Sequence, residues 1–148
     1  MDIERLRHQL VDGRTRLIGA LEGASESDYN AELLPGVTVL TAMADLARHE
    51  RATVEEARRL VGAPVRPAPA VHGEPARRLT PPPVVHDLAG ARHETHLFID
   101  TLLGSHLDME GLGAAVAALR AIIEEEQDLA ARIGSRLPRG PLPPPTAQ

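Results

Sequence analysis

Two pairs of metal-binding side-chain types stand four residues apart in segments with a helical pattern. Asp45 and His49 form one pair, and Glu124 and Asp128 form the other, across a run of glutamates. Residues four apart share one face of a helix, so either pair can chelate a metal ion. Most pairs of this kind are simply solvated surface residues. The spacing is therefore compatible with a metal site and with an ordinary polar surface.

Three charged residues occupy positions that the helical period assigns to an apolar stripe: Arg14, Glu50 and Glu126. A buried carboxylate costs several kcal/mol unless it is paired or bound to a cation. Three arrangements are open: an arginine–glutamate network that sets helix register, a metal or substrate cation between the carboxylates, or a glutamate in water at the rim. Inward polar side chains are also how helix bundles build binding sites, so all three residues are candidate substrate contacts.

Composition excludes several kinds of site. The 148 residues contain no cysteine, so thiolate metal sites, disulfides and cysteine nucleophiles are absent. Only Tyr29 and Phe98 are aromatic and the formal net charge is -5, which argues against nucleic-acid binding. The apolar runs are far shorter than the roughly 20 residues that span a bilayer. We therefore expect a cytoplasmic protein that binds neither nucleic acid nor membrane.

Four segments with a helical period must position these residues. They cover residues 3 to about 23, 38 or 41 to 62, about 84 to 103, and about 108 to 137. Each segment has one apolar stripe, and nothing between them shows the alternation of a strand. Such helices bury their stripes only against one another. The sequence therefore predicts an all-α fold, and more specifically a four-helix bundle.

Prolines mark the connections, because proline blocks helix interiors. Of the 13 prolines, all but Pro35 fall in residues 62–83 and 138–145. The first and third connections are short, which predicts that helices one and two, and three and four, are antiparallel neighbours. The long proline-rich crossover between helices two and three allows those two to run parallel. We expect one domain over residues 1–137 and a disordered proline-rich tail over 138–148.

The stretch LLPGVTVLTAMADLARHERATVEEARRLVGAP, residues 33–64, resembles the start of the second helix in the DinB/YfiT-like superfamily, especially the N-terminal domain of mycothiol-dependent maleylpyruvate isomerases. The pattern there is approximately LPGWT, a few variable residues and then HLA. The four-helix layout with a long second connection extends the likeness to the whole chain. Similarity of this kind implies a fold more strongly than it implies an activity.

The resemblance also implies a site. Members of the superfamily typically bind one divalent metal ion through a histidine of helix two and a His/Glu pair in the last helix. The matching positions here are Asp45, Glu125 and Asp128, with His49 as a substitute nitrogen ligand, and Val37 stands where the family has tryptophan. The implied cofactor is one divalent ion, Mn²⁺, Ni²⁺ or Zn²⁺. Carboxylates in place of imidazoles shift the preference toward harder cations such as Mn²⁺.

These expectations describe a DinB-like protein with an altered or lost divalent-metal site. It would bind a small molecule or be a degenerate relative of thiol-dependent transferases and isomerases, in which the metal lowers the pKa of a bound thiol. The alternative is a non-catalytic structural or interaction module. Family members often pair, and Leu97 lies outside the apolar stripe of its helix, so we expect a homodimer.

Overall fold

The computed structural model describes residues 3–62, 79–103 and 109–137. The described chain contains four long helices, α1 (Ile3–Leu21), α3 (Val39–Leu60), α4 (Pro81–Leu103) and α5 (Met109–Arg136), and one short helix, α2 (Glu26–Tyr29). Two short strands, β1 (Glu32–Leu34) and β2 (Val37–Thr38), lie between α2 and α3. The prediction of an all-α fold is confirmed, because 84% of the described residues are helical. None of the described helices is long and apolar enough to cross a membrane.

The start of α3 explains why the sequence pattern allowed either residue 38 or residue 41, both threonines, as the start of the second segment. Thr38 is the N-cap: its side chain accepts a hydrogen bond from the backbone N–H of Thr41, and the Thr41 side chain accepts one from the backbone N–H of Thr38. This reciprocal capping box satisfies two N–H groups that have no partner within the helix. The helix is followed at its C-terminal end by Gly62, whose φ of 72° is a conformation that favours glycine. Both ends of α3 are therefore set locally.

The connection between α1 and α3 is not the short loop that the sequence pattern predicts. It contains α2, capped by Ser25 in a capping box with Asp28, and an antiparallel pairing of β1 with β2. The prediction that no segment forms a strand is wrong here. Gly36, at φ 80°, makes the turn between the strands, and strands this short carry too few residues for the alternating pattern to be read.

The apolar core consists of two clusters. One contains the C-terminal parts of α1 and α5 with the N-terminal halves of α3 and α4. The other contains the N-terminal halves of α1 and α5 with the C-terminal halves of α3 and α4. It follows that α1 and α5 run in one direction and that α3 and α4 run together in the opposite direction.

The order of the helices also differs from the prediction. The closest backbone approaches join α1 to α5, α5 to α3, and α3 to α4, while α1 meets α4 at few points. The expectation that α1 and α3, and α4 and α5, run antiparallel agrees with these directions, but the expectation that they are nearest neighbours is wrong. The physical reason at the first connection is its length, because α2 and the hairpin give the chain enough reach to cross to a non-adjacent position. The residues between α4 and α5, 104–108, lie outside the described part of the chain.

The parallel run of α3 and α4 is the direction that the sequence analysis allowed for these helices. The proline-rich crossover itself, at 63–78, lies outside the described residues, and so does the tail at 138–148. Helix α4 begins at Pro81, three residues before the predicted start, with Pro82 and Pro83 in the same turn. Proline is tolerated there because first-turn N–H groups have no partner within the helix.

Candidate functional site

A buried polar layer separates the two apolar clusters. Each long helix contributes to it: Arg14 from α1, Glu50 from α3, Arg92 and Thr95 from α4, and Glu126 from α5. Glu50 and Glu126 are 0% exposed. The helical phase that placed Arg14, Glu50 and Glu126 inward is therefore correct. We refer to these five residues as the buried layer.

Arg92 is the centre of the buried layer. Its guanidinium binds both oxygens of Glu50, with Nε to Oε2 at 2.7 Å and Nη2 to Oε1 at 3.2 Å. Nη2 also donates to Glu126 Oε1 at 2.9 Å, and Nη1 donates to the backbone oxygen of Leu10 at 2.6 Å. One arginine thus joins all four long helices through charge-assisted hydrogen bonds.

Arg14 completes the layer from the α1 side. Its Nε donates to Glu126 Oε2 at 2.5 Å, and Nη1 donates to the backbone oxygen of Leu88 at 3.1 Å. Nη2 lies 3.6 Å from Glu50 Oε1, beyond a hydrogen bond but within ion-pair distance. Arg14 has a side-chain exposure of 15%, whereas both glutamates have none. The guanidinium therefore closes the layer toward solvent.

Two arginines and two glutamates make the buried layer electrically neutral. Burial on its own lowers the pKa of Arg92, but hydrogen bonds and charges from Glu50 and Glu126 outweigh this, so its pKa is raised. Thr95 Oγ1 donates a further hydrogen bond to Glu50 Oε2 at 2.6 Å. Each buried carboxylate is paired with arginine, so neither requires a metal or a substrate cation to compensate its burial.

His96 lies on α4, four residues after Arg92. Burial lowers the pKa of His96, and the nearby charges of Arg92 and Arg7 lower it further. The protonated form of this histidine beside the buried layer is therefore disfavoured.

Gly13 on α1 leaves the space that the Glu126 carboxylate fills, since a Cβ on Gly13 would stand 3.0 Å from Glu126 Oε1. Two arginines hold that carboxylate, so it cannot move aside easily. We expect Gly13→Ala to destabilise the fold by about 1 kcal/mol, the steric cost exceeding the gain in helix propensity. Gly19→Ala on the same helix meets nothing within 4 Å and should stabilise by about 0.5–1 kcal/mol. Urea unfolding of both variants measures the two changes in the free energy of unfolding. Changes of the same sign would contradict the prediction.

Arg92 and Thr95 are members of the layer that the sequence analysis missed. Both continue the stripe of Leu88 and Ile99, at spacings of three and four residues. The available signal was the charge balance, because two inward glutamates against one inward arginine left one negative charge unpaired. A search of the other helices for a polar stripe residue would have found Arg92.

The four residues proposed as metal ligands lie on the surface between α3 and α5. Asp45 pairs with Arg48 at 2.7 Å and Asp128 with Arg132 at 2.9 Å. His49 Nδ1 lies 2.7 Å from Glu125 Oε1. All of these side chains are substantially exposed, so the pairs contribute little to stability.

Three of the four predicted ligands line one open cavity. The cavity has a volume of about 200 Å³ and is bounded by Asp45, Glu125 and Asp128. Its remaining walls are mostly apolar and come from the β1–β2 hairpin, α3 and α5; they are Leu33, Leu34, Val37, Ala42, Leu46 and Leu129, with Arg132 at one side. His49 does not line this cavity.

The donors as they are arranged do not fit a divalent metal ion. Within the described ranges, no group of three or more histidine, aspartate or glutamate side chains is placed to hold one. Asp45 and Asp128 are each engaged by an arginine, and His49 uses its Nδ1 on Glu125. A metal site needs several donors converging on one point with an ordered second shell. These side chains point to different partners instead.

Comparisons with models of known protein families, with curated proteins and with solved structures found no match to this chain.

Proposed function

We propose that this chain is a DinB-like four-helix bundle that binds a small organic molecule in the cavity between α3, α5 and the β1–β2 hairpin. The proposal assigns separate tasks to the two sets of charged residues. The buried layer holds the helices together, and the surface carboxylates face the ligand. No catalytic residue is part of the proposal.

The observation that carries the proposal is the composition of the cavity wall. Asp45, Glu125 and Asp128 stand at its rim, while Leu46 and Leu129 at its floor are buried. A concave apolar surface with a few charged groups at its edge is typical of small-molecule sites. Three carboxylates and one arginine, Arg132, are the charged residues that line the cavity, so its net charge is negative and favours a ligand with a cationic group and an apolar body. We therefore propose an organic ammonium compound as the ligand class.

We propose that no divalent metal ion is a resident cofactor, because the donors described above do not converge on one point. The thiol-dependent transfer that the family resemblance implies depends on such a metal, so we propose no such activity. In its place, the carboxylates at positions 45, 125 and 128 attract a cation that the ligand itself carries. The cavity is thus a binding site without a Lewis acid.

The test is the melting temperature of the full chain, purified without chelator or metal-affinity tag, in the presence of octylammonium. A ligand that binds the folded state raises the melting temperature. We expect a rise, and we expect Asp45→Asn to weaken binding about three- to tenfold, the effect of losing one charged partner. Glu124→Gln, an exposed change on α5 outside the cavity lining, is the matched control and should bind like the parent chain.

The same assay with Mn²⁺, Ni²⁺ and Zn²⁺ tests the loss of the metal site. We expect no change in melting temperature with any of the three. A rise with one of them that disappears in Asp45→Ala would overturn this part of the proposal and restore a metalloprotein. Absence of binding by octylammonium would contradict the cavity as a cation-binding site.

A second candidate function is a dimerising interaction module. Leu97 on α4 is 41% exposed, which leaves an apolar side chain unpaired on the surface of the described chain. If α4 forms a homodimer contact, we expect Leu97→Glu to convert a dimer to a monomer in sedimentation experiments while the helix content stays unchanged. A parent chain that sediments as a monomer at high concentration would exclude this candidate.

A further inference from the structure

A second open cavity continues the proposed ligand site along α5. It has a volume of about 370 Å³ and is lined by Leu33, Ala131, Arg132, Ser135 and Arg136. Leu33 and Arg132 also line the first cavity. The two cavities are therefore neighbours between the hairpin and the C-terminal half of α5, and together we call them the α5 groove.

The two ends of the α5 groove carry opposite charges. Asp45, Glu125 and Asp128 line the first cavity at the acidic end, and Arg136 stands at the other end beside Ser135. Arg132 lines both cavities and pairs with Asp128 at 2.9 Å. The fixed charges of the lining residues are thus of opposite sign at the two ends.

Arg136 is positioned to receive an anionic group. Its Nε donates to the backbone oxygen of Glu32 at 3.0 Å, which ties the guanidinium to β1. A guanidinium has further N–H donors on its two Nη atoms, in a planar arrangement that matches a carboxylate. The hydroxyl of Ser135 supplies one more donor at the same cavity.

The hairpin side of the wall that joins the two ends is apolar, whereas Arg132 lines the α5 side. Leu33 belongs to both cavities, and Leu34 beside it is 49% exposed. Along α5, Asp128 and Arg136 are eight residues apart, which is about 12 Å at the helical rise of 1.5 Å per residue. A ligand that contacts both ends therefore needs an apolar spacer between its charged groups.

We propose that the ligand of the α5 groove is a zwitterion, with an ammonium group at the acidic end, a carboxylate at Arg136 and an apolar chain between them. This inference rests on the proposed function and adds the second charge and the spacer. Bringing both charges of one molecule to matching ends increases affinity, because the second contact forms within the complex. The same arrangement disfavours an amphiphile with one charge of either sign.

The experiment compares three probes of equal chain length by calorimetry and thermal shift: 8-aminooctanoate, octylammonium and octanoate. We expect 8-aminooctanoate to bind at least about fivefold more tightly than either single-charge probe, the effect of one added charged contact. Arg136→Gln should remove that advantage while octylammonium binds as before. Arg120→Gln, an exposed change on α5 outside the groove, is the control and should leave all three affinities unchanged.

The outcomes separate this inference from the proposed function. If octylammonium binds as tightly as 8-aminooctanoate and only Asp45→Asn weakens it, the zwitterion is wrong and the proposed function stands. If octanoate binds best, both the zwitterion and the cation preference are wrong. If none of the three probes binds, the groove is not a site for this class of ligand and both proposals fail.

Discussion

We expect Arg92→Met to reduce the free energy of unfolding by about 3–5 kcal/mol, the cost of breaking a buried ion pair by removing one partner. Arg92 supplies two hydrogen bonds to Glu50 and one to Glu126. Methionine fills much of the same space but leaves Glu50 without its main cation and Glu126 with Arg14 as its remaining arginine partner. Arg14 cannot replace Arg92, because it approaches Glu50 no closer than 3.6 Å.

Arg51→Met is the matched control for this measurement. Arg51 on α3 also binds two carboxylates, those of Asp87 and Glu94, but all three side chains reach solvent. Exposed ion pairs contribute between zero and about 1 kcal/mol, so the control should cost less than about 1 kcal/mol. Urea unfolding of both variants gives the comparison. Equal losses of unfolding free energy would show that burial does not increase the contribution of Arg92 to stability, and would contradict our account of the layer.

The second large effect concerns the carboxylates of the buried layer. We expect Glu50→Gln and Glu126→Gln each to destabilise the fold by about 1–3 kcal/mol. The amide keeps the size of the side chain but turns one acceptor into a donor. That donor then faces an arginine N–H, and two buried donors are left without acceptors.

A double-mutant cycle checks that the carboxylates act through Arg92. We expect Glu50→Gln combined with Arg92→Met to cost less than the sum of the two single changes, because the second change removes a partner that is already unsatisfied. The exposed Glu124→Gln should alter stability by less than about 0.5 kcal/mol and combine additively with Arg92→Met. Additive effects of the two buried changes would contradict a connected network.

Helical phase was the part of the structure that the sequence predicted best. A repeat of 3.6 residues places Arg14, Glu50 and Glu126 on the same stripes as buried leucines, and all three side chains meet in the layer. Phase is a local property of one helix, so it can be read without knowing the neighbours. It shows which residues face inward, but not what they face.

The relative placement of the helices could not be predicted in the same way. It depends on the first connection, where Ser25 and Thr38 cap helices through bonds spanning only three residues and the strands are too short to show a pattern. Because the sequence pattern predicted a short first connection, it also predicted the wrong neighbouring helices. The partners of Arg92 could not be predicted for a related reason, since they come from α3 and α5 and only the tertiary structure brings them together.

The candidate site was predicted in part. Asp45, Glu125 and Asp128 line one cavity, although they belong to different helices. The apolar walls from the hairpin and the basic end of the α5 groove were not foreseen, because they depend on a hairpin that the sequence pattern did not show. Competing partners such as Arg48 and Arg132 also decide whether the carboxylates can converge on a metal ion. The sequence pattern does not predict these ion pairs, because exposed residues follow no periodic pattern.

The most direct test of the account measures the melting temperature of Asp45→Asn and Glu50→Gln, each with and without octylammonium. The account predicts that Glu50→Gln lowers the melting temperature of the free protein but keeps the rise caused by octylammonium. It predicts that Asp45→Asn leaves the melting temperature of the free protein nearly unchanged and loses most of the rise. The opposite pattern, in which the rise survives in Asp45→Asn and disappears in Glu50→Gln, would place the ligand at the buried layer and contradict the separation of tasks.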